Sequence, residues 1–135
     1  MKKTNNKGFS LVELIVVIAI MAVLVGVAAP TFIKYVDQSR RATDIQNAQT
    51  IESAILAAIA DGELDTDVAT ATAFTATTVT TLTTAPVVSS DVIGTRGDAF
   101  TVVYDVTNGT CSVYPNNTTY DLTEQDDADT YKNLD

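Results

Sequence analysis

The chain has no histidine, no tryptophan and a single cysteine, and it carries only 8 basic residues against 17 acidic ones, a net charge of −9. Each shortage excludes something. Without histidine, the commonest general base and metal ligand is missing. With Cys111 alone, no internal disulfide can form. The acidic balance argues against direct binding of nucleic acid, which rests on many lysine and arginine contacts to phosphate. No catalytic constellation and no cofactor motif stands out, so the sequence predicts neither an enzyme nor a cofactor or metal site.

A fourth shortage is local. Residues 14 to 33 carry no charge. A hydrocarbon core of about 30 Å needs ~20 such residues in a helix, so this stretch is long enough to span a membrane. Lys2, Lys3 and Lys7 precede it and nothing comparable follows directly, which predicts the N-terminus inside and the bulk outside. A secretory signal peptide shares this outline, with small residues for a cut near Val27-Ala28-Ala29. Two residues oppose that reading. Pro30 would follow the cut, and Glu13 would place a charge where a signal gains nothing from one. A plain single-pass anchor, holding a binding domain that never assembles, is the other simple reading.

The run Lys7-Gly8-Phe9-Ser10-Leu11-Val12-Glu13-Leu14 sits directly before the apolar stretch. A Lys-Gly junction there looks like a processing site, and a lone carboxylate at that depth needs a partner. The run resembles the class III leader junction of type IV pilins and the related pseudopilins: Gly at the cut, Phe next, Glu five residues on, then the apolar stretch with Pro30. The resemblance implies that prepilin peptidase cuts after Gly8 and methylates the new amino group of Phe9. Residues 1–8 would be the leader, held at the anionic inner surface by its lysines. Their loss removes three lysines and takes the net charge from −9 to −12. Gly8, lacking a side chain, lets a protease approach the backbone closely.

Unpaired at membrane depth, Glu13 costs about 3 kcal/mol or more. The nearest cation that processing creates is the Phe9 amine, at i, i+4 spacing within one helix. The resemblance assigns the pairing instead to the Phe9 amine of a neighbouring subunit, where it would set axial register during assembly. Snorkelling of Glu13 to the headgroups is the simpler fate for a membrane-stored monomer. Pro30 cannot donate a hydrogen bond, and its helical acceptor would be the carbonyl of Gly26, itself a weak helix residue. Both defects fall in one turn, which predicts a kink in the stored helix or an unwound stretch near residues 22 to 30 in a filament.

From Lys34 the chain turns amphipathic. Ala42, Ile45, Ala48, Ile51, Ile55 and Ile59 form one apolar stripe, while Asp37-Arg41 and Arg40-Asp44 read as i, i+4 charge pairs on the exposed side. Asp61-Gly62 predicts the helix end, with Gly62 as a left-handed cap. Residues 66 to 84 are rich in Thr and Ala without a firm period, leaving short strands, a loop or partial helix open. The clearest strand signal is Phe100 to Pro115, with Asn108-Gly109 as a two-residue type I′ turn. That turn pairs Thr107 with Thr110, Val106 with Cys111, Tyr104 with Val113 and Val102 with Pro115. Phe100, Val102, Tyr104, Val106, Cys111 and Val113 then share an apolar face that the helix stripe covers. A further strand is placed near Thr119 to Thr123. Asp121, Glu124, Asp126, Asp127, Asp129 and Asp135 read as a solvated acidic end. Calcium is the sharper alternative, without calcium-loop spacing to support it. Three N-glycan sequons, at Asn108, Asn116 and Asn117, read as chance beside a bacterial-type leader.

The expected fold is α+β: a long N-terminal helix, apolar then amphipathic, packed on a small antiparallel sheet. The expected segments are a leader (1–8), a transmembrane or filament-core half-helix (9–33), an amphipathic half-helix (34–61) and a globular head (62–135). The resemblance implies a structural subunit, a major pilin, polymerising into a helical homo-polymer for adhesion, motility or DNA uptake. Its partners would be prepilin peptidase, an inner-membrane assembly platform and, before assembly, the cytoplasmic membrane. Many pilins staple their C-terminal loop with a disulfide. This chain departs from that pattern, which fits a Gram-positive source or a pseudopilin of a type II secretion or competence system.

Overall fold

The computed structural model describes residues 8–75, 78–79, 82–90, 95–116 and 119–134. The leader residues before Gly8, parts of the Thr-rich stretch and of two sequons, and Asp135 lie outside the described residues. The chain divides into two compact units, Met1–Tyr35 and Val36–Asp135. The elements in order are α1 (Leu11–Ala60), β1 (Val68–Ala73), β2 (Phe100–Asp105), β3 (Thr110–Pro115) and α2 (Gln125–Lys132), an α+β set.

In the first unit α1 is helical without interruption through Gly26 and Pro30. Every described residue from Gly8 to Tyr35 is exposed. In the second unit the same helix buries one side. Its cap follows from its sequence. Gly62 N–H donates to Ile59 O at 3.1 Å and Glu63 N–H to Ala58 O at 2.9 Å. Gly62 has φ +72, the left-handed conformation that this closing pattern requires. The predicted stop at Asp61-Gly62 is therefore observed.

The sheet has the order β1-β2-β3, antiparallel throughout. Ile51 and Ile55 of α1 pack in one core with Phe100, Val102, Tyr104, Cys111 and Val113 of the sheet and with Phe74, Val79, Val88, Leu122 and Tyr131. The predicted apolar face of the hairpin is the buried face, Val106 being half-buried at its edge. Cys111 is a free, buried thiol. Burial, then the charges of Glu52 and Asp121, push its pKa up to about 12, so it stays protonated and inert.

Four expectations are corrected or refined. The first is the hairpin register, which pairs Val102 with Val113, Tyr104 with Cys111 and Asp105 with Thr110, leaving a four-residue loop. The carboxylate of Asp105 accepts Asn108 N–H at 2.8 Å and Asn108 Nδ2 at 2.6 Å, and its carbonyl accepts Gly109 N–H at 2.9 Å. Val106 N–H is drawn to Asp67 Oδ1 at 2.8 Å. These bonds outcompete the tighter turn. The slip is two residues per pair, so every side chain keeps its face.

The second concerns the additional strand, which is β1 and not residues 119 to 123. Its register shifts between Val68 and Thr72, and that irregularity hides its alternation. Beside β3, Asp121 Oδ1 takes the amide of Val113 at 3.2 Å, together with Thr123 N–H and Oγ1, so a side chain stands where a strand was expected. The third is a refinement of the acidic end, whose Glu124, Asp126 and Asp129 are exposed as expected. It forms α2, with Asp126 and Asp127 in the first turn and Lys132 in the last, an arrangement that suits the helix dipole. Its Ala128 and Tyr131 are buried.

The fourth correction is the largest. The buried face of α1 runs Arg41, Asp44, Ala48, Ile51, Ile55, Ala58, and includes two charges expected at the surface. Asp44 is fully buried and Arg41 is 6% exposed. Arg40 pairs instead with Asp37 at 3.4 Å. Asp44 accepts Ser89 N–H at 2.6 Å, Ser90 N–H at 3.0 Å and the Tyr131 hydroxyl at 2.9 Å. Burial, then the Asp44 charge, raises the Tyr131 phenol above its ordinary pKa, so it remains a donor. Arg41 Nη1 reaches the carbonyls of Tyr131, at 3.4 Å, and Leu134, where it caps the end of α2.

Deleting the Asp44 carboxylate would strand three buried or part-buried donors. Asp44→Ala is expected to cost about 3 kcal/mol or more and Tyr131→Phe about 1–3 kcal/mol, read by urea unfolding of the detergent-held chain. Equal and negligible losses in both variants would contradict this role for Asp44.

Candidate assembly site

The helix begins where its backbone donors find an acceptor. Leu14 N–H donates to Ser10 O at 3.2 Å, which makes Ser10 the residue before the first turn. Glu13, three residues on, folds back and accepts the backbone N–H of Ser10 at 2.9 Å. This is one half of a capping box, and the Ser-x-x-Glu signature for it is present at residues 10 to 13. A carboxylate is also favoured there by the positive end of the helix dipole. The spacing predicts Glu13 opposite Phe9. With residues 1–8 attached, the Phe9 nitrogen belongs to a peptide bond, and the carboxylate uses the next amide along.

Residues 8 to 10 precede the helix and are exposed, Phe9 by 90%. A Cβ added at Gly8 would meet nothing within 4 Å, and Gly8 has no positive φ. The chain's own fold therefore does not demand glycine at this position. The same open space surrounds Gly26. Gly26 and Pro30 both lie on the exposed, helical part of α1.

Beyond Glu13 the surface is apolar on all sides. Val16, Ile20, Leu24, Val27 and Phe32 are each half or more exposed. By length and composition α1 can cross a membrane once. Tyr35, 66% exposed, follows Lys34 at the end of this stretch, the residue types favoured where hydrocarbon meets water.

The acidic residues of the C-terminal region do not converge on a point. Among the described residues, no three His, Cys, Asp or Glu side chains are placed to hold a metal ion. Asp121 serves backbone amides, and Asp127 Oδ2 accepts Asp121 N–H at 3.0 Å. Glu52 lies near Asp121 and Glu124. Burial, followed by those two charges, raises its carboxyl above the ordinary value.

One comparison with known proteins falls on this N-terminal region. The prokaryotic N-terminal methylation motif matches residues 3–29. Prepilin peptidase-dependent protein A of Clostridium perfringens is 36% identical over 67 residues, 50% of this chain and 48% of that protein. Type IV major fimbrial protein FimA of Dichelobacter nodosus is 34% identical over 61 residues, 45% of this chain and 38% of that protein. The type IV narrow pilus major component PilA5 of Thermus thermophilus is 42% identical over 48 residues, 36% of this chain and 41% of that protein. The matched stretch spans less than half the length of each relative. No solved structure matches. The resemblance to type IV pilins read from residues 7 to 35 is thus found independently, and the matched part of the chain is similar to type IV pilin and fimbrial proteins.

The raised Glu52 carboxyl has a signed consequence. An acid whose folded pKa lies above its unfolded value favours the fold when protonated, and that contribution is lost as pH rises through the folded value. The melting difference between Glu52→Gln and wild type should therefore grow in favour of the variant as pH rises through the carboxylate range. A difference that is flat with pH would contradict burial and acidic neighbours as the cause of the shift.

Proposed function

We propose that this chain is a major subunit of a type IV pilus, stored as a single-pass membrane protein with its N-terminus inside and then polymerised into a surface filament. The observation that carries the reading is the helix surface from Leu14 to Ile33, uncharged and exposed throughout. Such a surface is not stable in water, and it needs lipid before assembly and other copies after it. The names of the Dichelobacter and Thermus relatives, each a major subunit, support a major pilin over a minor one. The acidic head would face solvent and set the filament's surface chemistry for adhesion, motility or DNA uptake.

Processing would cut after Gly8 and free the amine of Phe9. The empty space around Gly8 supports this, since a requirement for glycine that the chain does not impose is one that a protease cleft can impose. Prepilin peptidase and an inner-membrane assembly platform are the partners on this reading. Glu13 would exchange the Ser10 amide for the Phe9 ammonium of a neighbouring copy. In an apolar filament interior that pair is strong, and a misfit of one subunit leaves a charge buried alone. Pro30 and Gly26 would let the helix extend in the packed filament, where neighbouring chains cover the freed backbone groups. A pseudopilin of a secretion or competence system is the second reading, favoured by the missing disulfide. A membrane-anchored binding domain that never assembles is the third.

Shearing source cells and examining the released material by mass spectrometry and electron microscopy separates these. Chains beginning at N-methylated Phe9 within long fibres are expected. Methylated chains confined to the membrane fraction would favour the pseudopilin, and chains retaining residues 1–8, or cut near Ala29, would overturn the assignment. Glu13→Ala is expected to insert in the membrane normally and to lower fibre yield by roughly a hundredfold or more, the least that breaking a buried charge pair implies. Normal fibre yield from that variant would remove Glu13 from the assembly mechanism.

A further inference from the structure

The Asn108-Gly109 pair at the hairpin tip has no part in the proposed assembly, yet it is chemically the most labile dipeptide in the chain. An asparagine followed by glycine is open to attack by the next peptide nitrogen, because glycine has no side chain to obstruct it. In that reaction Gly109 N loses its proton and bonds to Cγ of Asn108. The Cγ–Nδ2 bond breaks, and the amide leaves as ammonia with the proton. The cyclic imide then takes up one water and opens at either carbonyl, giving aspartate or isoaspartate. One water enters, one ammonia leaves, and one negative charge is added.

Water is at hand, since both residues are exposed. The loop nevertheless occupies the reacting atoms. The nucleophile is engaged because Gly109 N–H donates to Asp105 O at 2.9 Å. The leaving group is engaged because Asn108 Nδ2 donates to Asp105 Oδ2 at 2.6 Å. Asn108 N–H donates to the other carboxylate oxygen at 2.8 Å, which fixes the loop between them.

We propose that Asn108 is a latent deamidation site that Asp105 holds closed. Asp105 is a positioning residue that acts by withholding the atoms the reaction needs. Its role is independent of the filament reading and is tested without it. The full chain in detergent at mildly alkaline pH is sampled over time, digested, and the Asn108 peptide is quantified by mass spectrometry, with isoaspartate scored by methyltransferase labelling. Folded wild type is expected to react at least roughly tenfold more slowly than the same chain in urea, and folded Asp105→Ala, which keeps the backbone carbonyl on Gly109 N–H but loses the carboxylate on Asn108, to react faster than folded wild type by roughly several-fold, part of the weight of one hydrogen bond to a charged group. Circular dichroism confirms that each variant is folded. If Asp105→Ala is not, Asp105→Asn, which keeps an acceptor oxygen without the charge, takes its place and is expected to react faster than wild type. Folded wild type reacting as fast as the urea-unfolded chain would overturn the proposal. So would a folded Asp105 variant that reacts no faster than wild type.

Discussion

Asp44 is a charged side chain with no access to water, and the arrangement of the head depends on how that charge is satisfied. A carboxylate in this position is tolerable only if donors converge on it. They come from three places: the loop amides of Ser89 and Ser90, and the hydroxyl of Tyr131 on α2. Arg41, one turn earlier on α1, takes the carbonyls at the end of α2. One turn of helix thereby fixes both a loop and the C-terminal helix. Apolar packing alone would hold these segments near the core without specifying where they stop.

The clasp answers a problem set by composition. A single cysteine cannot tie the C-terminal segment to the rest by a disulfide, and the thiol present is buried and kept protonated. Polar ties do that work instead, and the same device recurs at smaller scale. Asp121 takes the amide that β3 would offer to a neighbouring strand, Asp67 takes that of Val106, and Asp105 organises the hairpin loop. Several of the residues that make the chain acidic are therefore committed to backbone donors.

How far the sequence disclosed this depends on the kind of signal. The helix end at Gly62 and the buried face of the hairpin were legible, because each rests on a local rule: a left-handed glycine, and alternation that survives a slip of two residues. The spacing of Asp37, Arg40, Arg41 and Asp44 predicts surface pairs, since i, i+4 charges carry no information about what packs above them. Tyr131 lies 87 residues from Asp44 in sequence, and no local pattern announces that contact. β1 was hidden by its own irregularity. Ser10 and Glu13 are the contrary case, since their capping signature is plain in the sequence and is obscured only by the stronger expectation that Glu13 pairs with Phe9.

Asp44 and Glu13 show one physical rule at two stages. Each is a carboxylate on the same helix, and each must be satisfied before it can leave water. Asp44 is satisfied by its own chain and is already buried. Among the described residues Glu13 has the Ser10 amide, on a helix end that remains exposed. A single backbone donor is a weak counterweight to full desolvation, so Glu13 cannot be buried by this chain alone. On the proposed reading, what it lacks is a cation, and processing creates one at Phe9 of every copy. The amine of the same copy is the competing partner, and the Ser10 bond bears on that competition. The Ser10 amide holds one carboxylate oxygen at an exposed helix end, and on the proposed reading that bond is the one exchanged for the neighbour's ammonium. On that reading, the residue that caps the helix start would also carry the charge that sets the register of the next subunit.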